Sequence, residues 1–188
     1  MTALPPSRET ATLERGVSLT GVERRFEPDE IIVTKTDRGG RITYANPVFL
    51  RLSNLTERQA RGAPHNVIRH PDMPRCVFKL LWDVIERGNE IFAYVLNRST
   101  NGDHYWVFAH VTPTFNQAGE IEGYHSNRRV PERRALEQTI QPLYRELLAE
   151  EQRHASKSGA IRAATARLTE LLSAQGLDYE RFIFALQS

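Results

Sequence analysis

The chain is poor in the residues that build cross-linked or metal-caged folds. Its 188 residues include one cysteine, Cys76, and two methionines. A lone thiol forms no intramolecular disulfide and no thiolate cage, and this usage fits a reducing compartment, so a cytoplasmic location is expected. No window approaches the roughly 18 to 20 apolar residues of a membrane span, so direct membrane insertion is not expected. The opening segment carries Pro5, Pro6, Arg8, Glu9, Glu14 and Arg15 without an apolar core, which excludes a secretory signal. An excess of one charge is lacking too, since 25 Lys and Arg face 23 Asp and Glu. A nucleic-acid partner would need basic residues gathered on one face, and none is expected. There is no phosphate-binding glycine loop with lysine, no nucleophile elbow and no pair of carboxylates at helical spacing in an apolar setting, so no enzymatic activity is expected.

What is present is the composition of a soluble domain, 40% hydrophobic and 26% charged, enough for one sizeable core. Residues 1–20 read as a polar leader, with a short helix near residues 8–15. Ile31, Ile32, Val33 and Thr34, the turn Asp37-Arg38-Gly39-Gly40, and then Ile42-Thr43-Tyr44 predict a β-hairpin. Asn46-Pro47 opens a short helix, and Thr56-Glu57-Arg58-Gln59 has capping-box spacing ahead of Gly62. Val77, Phe78, Leu80, Leu81, Val84 and Ile85 recur at helical spacing over residues 74–87, closed by Gly88. Strands are predicted at 91–98, 104–115 and 121–129, joined by Asn101-Gly102 and by a turn at 117–119. Two strands, short helices, then three strands make an α+β arrangement, an antiparallel sheet with helices on one face. From Pro131 the composition shifts to helix formers. Ile161, Ala164, Leu168, Leu171 and Leu172 form an apolar stripe, and an apolar end segment runs over 178–187. The divisions expected are a leader at 1–20, a central domain at 21–130 and a helical extension at 131–188.

The run His65-Asn66-Val67-Ile68-Arg69-His70-Pro71-Asp72-Met73-Pro74, followed by Phe78 and Trp82, resembles the PAS domain of the aerotaxis-receptor family. Asn97-Arg98, the string Asn101-Gly102-Asp103-His104-Tyr105-Trp106-Val107, Thr112-Pro113 and Gly123-Tyr124 resemble the same family, as does Gln141-Pro142-Leu143-Tyr144. The likeness covers roughly residues 28–148. It implies a PAS fold, five antiparallel strands with short helices on one face, and a noncovalently held FAD that reports redox or energy state to chemotaxis signalling. With neither an anchor nor heptad-patterned signalling helices, the chain is expected to act as a stand-alone sensor. Its partners would be a second copy, through flanking helices at 13–26 and 133–148, and a chemoreceptor or other signalling protein on a separate chain. Two other readings stay open. One is a cofactor-free PAS interaction module, and the other is a flavin-based blue-light receptor.

The resemblance assigns Arg69, His70 and Asp72 to the cofactor, with Trp82 close behind them. Arg69 offers a donor fork to phosphate, His70 a donor or a flat face, and Asp72 an acceptor. Alternatively, Arg69 and Asp72 form a local salt bridge that caps the helix at Pro74. Asn97 can donate to and accept from the pyrimidine end of a flavin, or it can satisfy a strand edge. Alternation puts Tyr105, Val107, Ala109 and Val111 on one face of their strand, with small Ala109 and Val107 suited to the ligand side, and sends Trp106 under a covering helix. The same counting groups His125 with Ile121, Gly123 and Asn127, which would set His125 beside the redox-active part of the ring, unless it is an exposed strand histidine. The sequence departs from the family at Ile91, where tryptophan is common, at Ala93, where glycine is, and at Leu96, Ser99 and Thr100, which dilute a basic stretch. FMN is the alternative cofactor. Haem, needing one axial histidine, is the weaker one. Cys76 lies outside the position that forms a cysteinyl adduct in light-sensing relatives and is expected to be buried and inert. His65 and His70 flank no zinc pattern, so no metal is expected.

Overall fold

Glycine and β-branched residues shape the first turn of the chain. In the computed structural model of the protein, which describes residues 17–187, β1 (Ile32–Asp37) and β2 (Ile42–Ala45) pair antiparallel around Asp37-Arg38-Gly39-Gly40. Asp37 Oδ1 accepts from the Arg41 N–H at 2.9 Å. Gly40 takes φ +74°, and a Cβ there would lie 3.1 Å from the Trp82 ring. Asn46 then caps α1 (Pro47–Ser53), its Oδ1 accepting from the Phe49 N–H at 3.0 Å while its Nδ2 donates to the Ile31 carbonyl at 2.7 Å. The Thr56/Gln59 capping box opens α2 (Glu57–Ala60). A 3-10 turn (His65–Ile68) leads through Pro71 and Pro74 into α3 (Arg75–Ile85), whose buried face carries Cys76, Val77, Leu81 and Ile85.

β3 (Ile91–Arg98), β4 (His104–Phe115) and β5 (Ile121–Arg129) form an antiparallel meander, and β5 then pairs with β1, giving the sheet order β2-β1-β5-β4-β3. The short helices lie on one face, as the α+β reading requires. The flanking helix expected at 13–26 is corrected over residues 17–26, where no helix forms. Gly21 takes φ +75°, and the segment runs extended beside the β3–β4 turn, with the Thr20 N–H donating to the Gly102 carbonyl at 3.1 Å and the His104 N–H to the Val22 carbonyl at 2.9 Å. A side chain at Gly102 would collide with the Ser18 carbonyl oxygen, 2.1 Å away. The helix expected near residues 8–15 lies outside the described residues.

The C-terminal part wraps the β3 edge. Helix α4 (Arg133–Ala135) passes through a π turn (Leu136–Ile140) into α5 (Gln141–Gln152), the wider turn preceding Pro142, which has no N–H to give. Tyr144 of α5 donates its hydroxyl to the Tyr94 carbonyl at 2.6 Å and packs on Trp106 at 6.0 Å between ring centroids. Trp106 thus lies under a covering helix, on the sheet face opposite α1–α3. Helix α6 (Lys157–Ser173), capped by Ser156, buries Ala160, Ala164, Leu168 and Leu172 against its own domain. Helix α7 (Tyr179–Ala185) sets Phe184 against Phe92, 5.2 Å between centroids.

Because edge and extension share one core, they unfold together. Leu168→Ala is expected to lower the unfolding free energy by about 2–4 kcal/mol within a single urea transition. A separate early transition for the extension would contradict this.

Candidate functional site

Between the inner face of the sheet and the 3-10 turn with helix α3 lies a cavity of about 350 Å³. The sheet supplies its floor, with Thr34 and Thr36 from β1, Val95 and Asn97 from β3, Ala109 and Val111 from β4, and Tyr124, Ser126 and Arg128 from β5. Strand register brings these together, since Ala109 pairs with Arg128 and Val111 with Ser126. The walls are apolar, Ile68, Phe78, Leu81, Trp82 and Ile85, and Trp82 meets Tyr124 edge to face at 5.4 Å. Small Ala109 in the middle of the floor leaves room for a flat ring.

Arg128 is 5% exposed and, among the described residues, has no carboxylate partner. Its Nη2 donates to Thr34 Oγ1 at 2.9 Å and to His65 Nε2 at 2.8 Å, so the His65 ring carries its proton on Nδ1. Loss of water, and then the facing Arg128 cation, push the His65 pKa down to about 3. Burial pulls the Arg128 guanidinium down to about 10, where it stays charged at neutral pH. Among the described residues its Nη1 has no partner, nor have Asn97 Nδ2 and Ser126 Oγ, all buried. Three unpaired groups able to donate therefore line one cavity, each costing free energy until an acceptor arrives. A flavin fits that donor set, since its pyrimidine edge carries carbonyl acceptors and its ring system suits apolar walls.

The mouth is cationic. Arg69 lies over the Phe78 ring at 4.6 Å, and Arg75, Lys79 and Lys157 line the same opening. Of the predicted residues, Arg69, Trp82, Asn97 and Ala109 line the cavity. Tyr105 and Val107 share the inner face but are packed completely at 0% exposure, beyond its lining. His70 and Asp72 stand outside it and pair with each other, the Asp72 N–H donating to His70 Nδ1 at 3.1 Å while the Asp72 side chain stays 69% exposed. Loss of water lowers the His70 pKa. No Arg69–Asp72 bridge forms, and α3 takes its cap from elsewhere. The Glu151 carboxylate of α5 accepts from the Cys76 N–H at 2.9 Å. Burial first, and then that carboxylate, push the Cys76 thiol up to about 12, an inert state.

His125 is the clear correction. Pairing with Thr112 and Lys35 turns it to the outer face, away from the cavity. Burial and Lys35 lower its pKa there. The parity chosen for β5 is the wrong one, because its inward set, Tyr124, Ser126 and Arg128, looks by itself like the solvent side. Sequence reasoning also misses Arg128, Thr34 and the role of His65. An arginine within the last strand, two residues beyond Ser126 and four beyond Tyr124 on the same face, was the available signal.

Residues 42–128 match the family model described as the PAS fold. This segment has the PAS fold. It is 40% identical over 124 residues to the aerotaxis receptor of Escherichia coli (strain K12), a match covering 64% of this chain and 24% of the receptor. It is 26% identical over 103 residues to the nitrogen fixation regulatory protein of Klebsiella pneumoniae, covering 55% and 21%. The chain thus spans a quarter or less of these curated relatives. The dark structure of the blue-light photoreceptor Aureochrome1 LOV superposes with a TM-score of 0.52 at 22% identity, over 61% of this chain and 86% of that one, which shows the shared fold.

Because the folded-state pKa of His65 is depressed below its unfolded value, the unfolded chain takes up a proton that the folded one refuses. This contribution to stability is intact above about pH 6.5 and is lost as pH falls toward 3. NMR titration should show the His65 ring neutral at pH 4.5, and a protonated ring there would contradict the assignment.

Proposed function

We propose that this protein is a flavin-binding PAS sensor of redox state, holding FAD and signalling by protein contact in the cytoplasm. The observation that carries this reading is the trio of unpaired buried groups, Asn97 Nδ2, Ser126 Oγ and Arg128 Nη1, around a cavity with apolar walls. When bound, the flavin supplies a couple whose reduction changes charge and proton content at its ring. Asn97 fixes the register of the pyrimidine edge. Arg128 favours whichever state bears more negative charge beside it, and raises the midpoint potential by doing so. His65 and Thr34 hold the guanidinium in place, so a shift of Arg128 displaces the 3-10 turn and β1 with it. Arg69 and its cationic neighbours take the diphosphate at the mouth, which favours FAD over FMN. Trp82 and Phe78 close the ring off from water.

The similarity to the aerotaxis receptor supports energy taxis or a related bacterial response as the setting, with a signalling protein or a second copy as the recipient. The apolar stripe of α6 is committed inside the chain, so that contact uses the outward faces of α5–α7. Cys76 sits buried on α3 with its thiol protonated, which supports reduction rather than adduct photochemistry as the input.

The purified protein should be yellow, release FAD on heating and bleach with dithionite. A colourless protein that binds no added flavin would leave the interaction-module reading in its place. Arg128→Met should lower the flavin midpoint potential by tens of millivolts or lose the flavin, and an unchanged potential with full occupancy would remove Arg128 from the site. His125→Leu, on the far face, should leave spectrum and potential unchanged.

A further inference from the structure

The cavity does not end within the residues that match the PAS family. Lys157 and Ile161, in the first turns of α6, line it together with Arg69, Arg75 and Lys79. Both lie beyond residue 128, where the family match stops. Lys79 is committed to Asp83 one turn along α3. Arg75 and Lys157 have no ion pair or side-chain hydrogen bond among the described residues, and Arg69 rests on an aromatic face rather than a carboxylate. Three cations thus converge on one opening, none of them in an ion pair among the described residues, and α6 brings one of them.

What holds α6 there is specific. Helix α3 has Pro74 at its N-cap, which supplies no side-chain cap. The missing acceptor arrives from α5, as the buried Glu151 carboxylate bonds the Cys76 N–H at 2.9 Å. The same carboxylate acts on Arg69, opposing the fall that burial imposes on its pKa. One acidic side chain therefore ties the extension to the helix that walls the cavity and to a cation at its mouth. Six residues later, α6 begins with Lys157.

We propose that the C-terminal extension completes the ligand site: α6 covers the mouth of the cavity, Lys157 binds the diphosphate of a dinucleotide whose ring lies inside, and Ile161 packs on the ligand. Occupancy and docking of α6 are then thermodynamically linked, since each favours the other. The extension is accordingly the element that carries the state of the site outward. The volume agrees with this division, because 350 Å³ is at the small end for a ligand pocket, about 300–1,000 Å³, and leaves the phosphates and adenosine of a dinucleotide for the opening.

This inference rests on the flavin reading above, and it is tested on the full chain by titration with FAD and with riboflavin, which has the ring and no phosphate. Lys157 is exposed, so its replacement leaves the fold intact. Lys157→Glu should weaken FAD about tenfold, as expected for reversing one charge at a partly exposed phosphate contact, while riboflavin changes less than about twofold and Lys157→Arg retains FAD. Hydrogen exchange should slow across residues 157–173 when FAD is added. If FAD binds the wild-type chain but Lys157→Glu binds it equally well and exchange in α6 does not change, this inference falls and the flavin reading stands. If the wild-type chain takes up neither flavin, both fall.

Discussion

A guanidinium has been taken out of water without a carboxylate among the described residues to meet it. The effective penalty for burying an ion is several kcal/mol after relaxation, and at Arg128 it is offset by neutral acceptors alone, Thr34 and the lone pair of His65. Much of the interior follows from that. His65 must stay unprotonated, because a second cation at 2.8 Å would expel the first. Tyr105 keeps its proton, as burial pushes its pKa up, though the Arg128 and Arg24 cations oppose the rise. A carboxylate in this place would have neutralised the charge and made the cavity indifferent to its contents. With none, the low-dielectric walls transmit the field of Arg128 directly to whatever occupies the space.

The outer and inner faces of the sheet divide two tasks. The inner face carries the unpaired polar groups of the cavity, on Asn97, Ser126 and Arg128. The outer face near β3 is a packing surface, where Phe92 and Trp106 meet Phe184 and Tyr144. The strands between them are two-sided, so a displacement of the floor is also a displacement of the bed on which α5 and α7 lie. Proteins packed at crystal-like density pass such shifts on rather than absorb them.

The local architecture was legible because local chemistry decides it. Asn46-Pro47, the Thr56 to Gln59 box and Gly88 state where helices start and stop, and the bounds of β3, β4 and β5 follow from alternation between turn residues. The site was legible only in part, because it is assembled by register. Asn97 and Ala109 could be read from their own strands, whereas the orientation of β5 depends on which residues of β4 it faces. Alternation supplies two parities and no means of choosing, and a strand bearing Tyr124, Ser126 and Arg128 inward inverts the usual apolar-in pattern. The run through His70 and Asp72 was recognisable as a motif, but its residues split, Arg69 turning to the mouth and the other two to each other. Contacts over long separations, such as Glu151 with Cys76, leave no periodic trace at all.

The carbonyl of Tyr94 belongs to an edge strand, and the hydroxyl that satisfies it comes from fifty residues downstream. A fragment ending at residue 130, just past the residues that match the family model, keeps that whole segment and loses that hydroxyl, the α3 cap and the cover over Trp106. What remains is a sheet with an open, apolar-flanked border of main-chain groups ready to recruit a strand from any neighbour. For anyone wishing to transplant this sensor onto another output, the unit to move is the chain through α7, since the border drawn by homology runs through the middle of a single folding body.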